Sequence, residues 1–132
     1  MTKILFLALC FTASIAVHGQ GIQTLSFGNN TLSGKVILKT LTHPVKGTAI
    51  KNAMVLKLAK KVKFKAVAET DEDVTTDEIR IYGDVTKDVN PNIKYKILIN
   101  RQVTITANIV YAPSGNYPLL ANIIEDFTYK LK

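Results

Sequence analysis

Five stretches of this chain alternate apolar and polar residues with a period of two, and that pattern confines the fold to sheet. Val62, Phe64, Ala66 and Ala68 alternate with Lys61, Lys63 and Lys65. Ile79 and Ile81 alternate with Glu78, Arg80 and Tyr82. Ile93, Tyr95, Ile97 and Ile99 alternate with polar residues that include Lys94 and Lys96. Val103, Ile105, Ala107, Ile109 and Tyr111 alternate with Gln102, Thr104, Thr106 and Asn108. Phe127, Tyr129 and Leu131 alternate with Thr128, Lys130 and Lys132. Successive side chains of a strand point to opposite faces, so each run predicts a half-buried strand. Only Asn100 and Arg101 separate the third and fourth runs, which predicts a tight hairpin. A β-branched run over 35–41 predicts a further strand. Residues 49–58 read as strand or short helix; Lys57 and Lys61 would interrupt the apolar face of a helix, so strand is preferred. Turns are expected at Phe27-Gly28-Asn29-Asn30, at Pro44 and Gly47, over the acidic residues 69–73, at Val89-Asn90-Pro91-Asn92 and at Pro113-Ser114-Gly115-Asn116. Residues 20–25 read as a short lead-in. The expectation is an all-β fold, an antiparallel sandwich or barrel of about five to seven strands.

The N-terminus has the layout of a secretory signal. Lys3 precedes an apolar stretch that ends in Val17-His18-Gly19-Gln20. The stretch is short against roughly 30 Å of hydrocarbon, and no charged stop-transfer cluster follows it. Cleavage is expected between Gly19 and Gln20, with a cut after Ala16 as the alternative, which makes 1–19 a signal peptide and 20–132 a single secreted, extracellular domain. The only cysteine, Cys10, lies in the leader. The exported part would therefore have no disulfide and no thiolate, and would hold together by packing alone. No later stretch is long and apolar enough to predict a membrane-spanning helix, and a monomer is expected.

Charge is segregated along the chain. Between Gln20 and Ala68 there are nine lysines and no acid; between Glu69 and Asp88 there are eight acids against Arg80 and Lys87. Such a layout could steer the protein toward anionic surfaces, or could reflect lysine-rich outward faces of a β-protein. Lysine dominates and only Arg80 and Arg101 carry guanidinium groups, which argues against base or specific phosphate recognition. Nucleic acid is not an expected partner, since aromatic platforms do not interleave with the basic residues. Residues 49–68 carry six lysines among aliphatics, the composition of a cationic membrane-active helix, but their alternating second half argues for sheet.

Catalytic and metal-binding patterns are sparse. His43 is the only histidine beyond the leader, and Ser26, Ser33 and Ser114 stand outside any nucleophile-elbow context. One histidine without cysteine serves zinc poorly. Asp71, Asp73, Thr75 and Asp77 have oxygen spacing suited to calcium, but Thr76 and Tyr82 stand where an EF-hand loop needs glycine and glutamate. No enzyme activity and no cofactor are expected. Asn29-Asn30-Thr31 is an N-glycosylation sequon, which makes Asn29 a candidate modification site.

The stretch from Lys61 to Tyr111 resembles a family of insect secreted proteins of the multiprotein bridging factor 2 type, found as salivary peptides and in bug venoms. The residues that carry the likeness are Val62-Lys63-Phe64-Lys65-Ala66-Val67 with Glu69-Thr70-Asp71, Ile79-Arg80-Ile81-Tyr82-Gly83, Ile93-Lys94-Tyr95-Lys96-Ile97 and the run from Val103 to Tyr111; Ser26-Phe27-Gly28 matches an early glycine turn. Gly83-Asp84-Val85 replaces the glycine run of that family, and the tail after Ala112 is extra. The resemblance implies a non-enzymatic β-protein of a gland secretion, saliva or venom, with no functional residues to transfer. The alternative expectation from composition is a cationic membrane-active protein.

Overall fold

The computed structural model describes residues 21–87 and 90–132. The expected cut between Gly19 and Gln20 lies outside the described residues. Seven strands form: β1 (Gln23–Ser26), β2 (Gly28–Thr42), β3 (Ala49–Lys65), β4 (Val74–Ile81), β5 (Gln102–Tyr111), β6 (Ala121–Ile123) and β7 (Thr128–Leu131). Between β4 and β5 lie a single helical turn, α1 (Pro91–Lys94), and a 3-10 turn at Lys96–Leu98.

Five strands close a ring. β2, β3 and β4 form an antiparallel meander, β4 pairs with β6 in parallel, β6 pairs antiparallel with β5, and β5 returns antiparallel to β2. The sheet is therefore mixed rather than wholly antiparallel as expected. A ring with an odd number of strands cannot alternate direction all the way round, so one parallel pair is required, and β4–β6 supplies it. A second parallel pair joins β1 to the end of β3, and β7 lies antiparallel along β5. The helical turn α1 lies between the third and fourth ring strands, β4 and β5.

β3 is the common member of both sides of the ring. Its residues 53–56 are buried on both faces. Met54 and Leu56 enter the barrel core with Phe64, Val36, Ile79, Ile105 and Ile123. Ala53 and Val55 point outward into a second apolar cluster with Leu41, Ile37, Ile50 and Leu119. Burial on both faces removes alternation, which is why 49–58 reads ambiguously in sequence. The expected turn at 27–30 is narrower than its residues suggested: the kink is confined to Phe27 and to Gly28, whose φ is +118°, and Asn29 is already in β2.

The expected strand over 93–99, and with it the hairpin to β5, does not form. Pro91 occupies the first turn of α1, and the Asn90 side chain accepts the Asn92 N–H at 2.8 Å, so the local sequence starts a helix. Burial then follows Tyr95 and Leu98, spaced by three, instead of every second residue. Ile93 and Ile97, expected to face inward, are 73% and 54% exposed. Tyr95 stacks on Phe127 with centroids 4.4 Å apart and donates its hydroxyl to Asp126 at 2.8 Å, while Lys94 reaches the same carboxylate oxygen at 2.6 Å. This clasp ties the helical turns to the segment leading into β7.

Candidate functional site

The β3–β4 register undoes much of the charge segregation read from the sequence. It sets Lys57 opposite Glu78 and Lys63 opposite Thr75, so the basic strand lies against the acidic one. Lys57 Nζ lies 2.7 Å from Asp77 and 3.7 Å from Glu78, and Lys39 Nζ lies 2.6 Å from Glu78. Asp73 accepts the Ala66 N–H at 2.8 Å and lies within 3.6 Å of both Lys63 and Lys65. The Ala66 N–H and the two ammonium groups hold the Asp73 carboxyl below the usual carboxylate range. The hydrogen bond from Lys57 does the same for Asp77, and that contact raises Lys57 in turn. Of the acidic residues weighed as a calcium loop, Asp73 and Asp77 thus lie along this seam with lysines as partners, and Asp71 stays in the turn before β4. Among the described residues, no group of three or more His, Cys, Asp or Glu could hold a metal ion.

Lys46, Lys51 and Lys96 have no carboxylate in ion-pair reach among the described residues, and neither do five lysines that lie on one face: Lys35, Lys60, Lys61, Lys130 and Lys132. They border one continuous depression, which exists because two ladders end early. β2 pairs with β3 only from Gly34 onward, and β1 pairs with β3 only over Val62–Lys65. Between those ladders β3 bulges. Lys57 faces Glu78 and Val62 faces Thr76, so residues 58–61 stand against Asp77 alone. Bulges re-aim side chains, and this one brings Lys60 and Lys61 to the mouth of a cleft of about 470 Å³ between β1 and β2, with Leu32, Leu58 and Val62 among its walls.

The cleft runs into two neighbours. One, of about 300 Å³, shares Ser33, Leu58 and Ala59 with it and reaches Lys35, Gln102 and Lys132. The other, of about 210 Å³, shares Thr31 and reaches Thr104, Thr106, Thr128 and Lys130. Strand register explains this continuity. Lys35 pairs across to Lys57 on one side and Gln102 on the other; Ser33, Thr104 and Lys130 form the next outward row; Thr31, Thr106 and Thr128 the row after it. Thr31 and Thr106 share a hydrogen bond of 2.9 Å between hydroxyls, and Ser33 and Thr104 one of 2.8 Å. Each pair consumes one proton and leaves one hydroxyl donor and several lone pairs facing solvent. Gly34 lets the β2 and β3 backbones close where the track meets the seam, since a Cβ there would lie 2.4 Å from the Lys57 carbonyl oxygen.

The residues singled out in the sequence fall as follows. Asn29 is exposed at the start of β2, opposite Asn108, and Asn30 donates its amide to the Ser26 and Gly28 carbonyls. His43 Nδ1 accepts the Val45 and Lys46 N–H groups at 3.2 and 3.0 Å, so the ring shapes the β2–β3 turn. Ser33 bonds Thr104, and Ser114 accepts the Asn116 N–H; no bond joins any of these serines to His43 among the described residues. The hydroxyl rows were not singled out, although Thr104 and Thr106 stand at consecutive outward positions of the β5 alternation.

Arg80 is half-buried without a carboxylate partner. Arg80 lies 4.3 Å over the Tyr82 ring and donates to its hydroxyl at 3.1 Å, and burial lowers the guanidinium pKa. Arg80 Nε and Oδ1 of its cross-strand neighbour Asn122 are buried without a hydrogen-bond partner. No described helix is long and apolar enough to cross a membrane. Fold and site together define an all-β barrel with a lysine-bordered, hydroxyl-rich track on its outer face. Comparison with protein-family models, curated proteins and solved structures finds no match.

Proposed function

We propose that this chain is a secreted, non-enzymatic protein of a gland secretion, saliva or venom, that works by binding an anionic extracellular surface. One observation carries the binding part: of the described lysines without a carboxylate partner, Lys35, Lys60, Lys61, Lys130 and Lys132 border adjoining depressions on one face, while Lys46, Lys51 and Lys96 lie elsewhere. Fixed charges of one sign along a concave surface raise the local concentration of an oppositely charged ligand. Export and gland origin are supported by the leader and by the family resemblance.

The membrane-active alternative draws on the composition of 49–68. Met54, Leu56, Leu58, Val62 and Phe64 from that segment are in the barrel core, so using it as an amphipathic helix would require unfolding β3. Binding to a polyanion by the folded barrel has no such cost. The test has two parts. Protein recovered from the medium of expressing cells should begin at Gln20 by intact mass, and retention of the full chain inside the cell would overturn export. Purified protein should bind polyanions at about 0.15 M ionic strength and release no dye from anionic vesicles. Absence of binding to every polyanion at that salt overturns the binding role, and dye release would favour the alternative.

A further inference from the structure

We infer that the track is a subsite for a linear sulfated polysaccharide, an inference that rests on the anion-binding reading above and names its ligand. Three features of the track argue for an extended sugar chain over a compact ion, a lipid surface or a nucleic acid.

The first is shape. The depressions share Ser33 and Thr31 as common walls and run from Lys60 and Lys61 on β3, across β2 and β5, to Lys130 on β7. Four adjacent strands span about 14 Å at the usual interstrand spacing. A single phosphate or sulfate would fill a small part of that length, whereas a chain of linked rings follows it.

The second is the order of the chemistry along it. Ammonium groups stand at both ends and hydroxyls lie between them: Lys60 and Lys61 at one end, Lys130 and Lys132 at the other, with Thr31, Ser33, Thr104 and Thr106 in the middle. Lysine is a compact point charge with freely rotating donors, suited to sulfate groups whose positions vary along a chain. The paired hydroxyls keep donors and acceptors for neutral sugar hydroxyls.

The third is what lies beside the track. Stacking of bases needs exposed aromatic faces, and only Tyr129, 40% exposed, borders it. Insertion into a bilayer needs clustered apolar side chains, and the exposed large hydrophobics near the track are divided between its ends, Ile22 by Lys60 and Lys61 and Tyr129 and Leu131 on β7. The outward face of β3–β4 carries the Lys57–Asp77 and Lys39–Glu78 ion pairs, so an anion there meets lysines that are already neutralised.

The experiment is a calorimetric titration of the purified protein with a size-defined, heparin-type sulfated oligosaccharide, repeated at several salt concentrations. Lys60→Gln with Lys61→Gln should weaken binding about tenfold or more and flatten its salt dependence. Thr104→Val with Thr106→Val, which changes no charge, should weaken the sulfated oligosaccharide about three- to tenfold. The same valine variant should bind vesicles of phosphatidylcholine and phosphatidylserine as the parent does. Lys46→Gln with Lys51→Gln removes two unpaired charges away from the track and should change affinity less than about twofold. Equal losses from the two lysine pairs, or an unchanged affinity in the valine variant, would overturn the sugar assignment while leaving polyanion binding intact. Failure of the parent to bind any polyanion would overturn both. Unchanged thermal midpoints in the variants show that each reads the surface and not the fold.

Discussion

Two regions of the same sheet use lysine in opposite ways. Along the seam between β3 and β4, Lys39, Lys57, Lys63 and Lys65 each face a carboxylate within 3.6 Å. Along the track on β2, β5, β7 and the bulge of β3, Lys35, Lys60, Lys61, Lys130 and Lys132 face none among the described residues. The residue type is the same and the neighbours differ. On the seam, lysine neutralises an acidic strand so that it can pair; exposed pairs of this kind contribute little stability each. On the track, no carboxylate offsets the lysine charges, and an anion that binds there would. A lysine-rich surface is therefore informative only after the paired lysines are removed from it.

The largest expected effect comes from the point where the two regions meet. Gly34→Ala places a Cβ 2.4 Å from the Lys57 carbonyl oxygen and forces β2 away from β3. A loss of about 2 kcal/mol is expected in urea unfolding, together with weaker polyanion binding because the track loses its wall. Full stability in that variant would mean that β2 and β3 approach less closely than described.

Acid separates the regions next. The carboxyls of Asp73, Asp77, Asp84 and Asp126 all lie below their usual value of 3.8, Asp126 at about 2 under the hydrogen bonds from Lys94 and Tyr95. A folded-state pKa below the unfolded one means that the unfolded chain takes up protons first as pH falls. The stabilisation from these groups is thus complete well above 3.8 and is lost as pH drops toward about 2. Thermal midpoints should be flat near neutrality and fall across that window. Acid protonates carboxylates and removes no positive charge, so polyanion binding should persist until the barrel itself unfolds. A midpoint that fell between neutrality and mild acid would point to other groups.

The smallest effect sharpens the contrast. Glu78→Gln removes the carboxylate that Lys39 and Lys57 share. It should cost about 0.5–1 kcal/mol, since both lysines are partly exposed. It should also tighten polyanion binding modestly, because Lys57 stands directly across from Lys35 at the edge of the track. Unchanged binding would separate the seam from the track completely.

Much of the sheet was legible because strand periodicity is local. β5 forms with Val103, Ile105, Ala107 and Ile109 buried, as its alternation predicts, and β7 forms where Tyr129 and Leu131 suggested it. The failure at 93–99 has a local cause as well: the same alternation follows Asn90 and Pro91, whose cap starts a helical turn before a strand can extend. β6 went unread because its three residues, Ala121–Ile123, are too few to show a period. Of the candidate site, the hydroxyls could be seen as outward positions of β5, but their partners on β2 and β7 depend on register.

The sequence by itself determined that this chain folds as sheet, that its described part is held together without cysteine, and that its positive charge is carried by lysine. Those properties follow from side-chain type and spacing. Only the tertiary structure decided which lysines remain uncompensated. That outcome depends on strand register, on a bulge of four residues against one, and on a parallel pairing that an odd-membered ring requires. Each of these sets contacts between residues far apart in the chain, and a charge is neutralised by what lies near it in space.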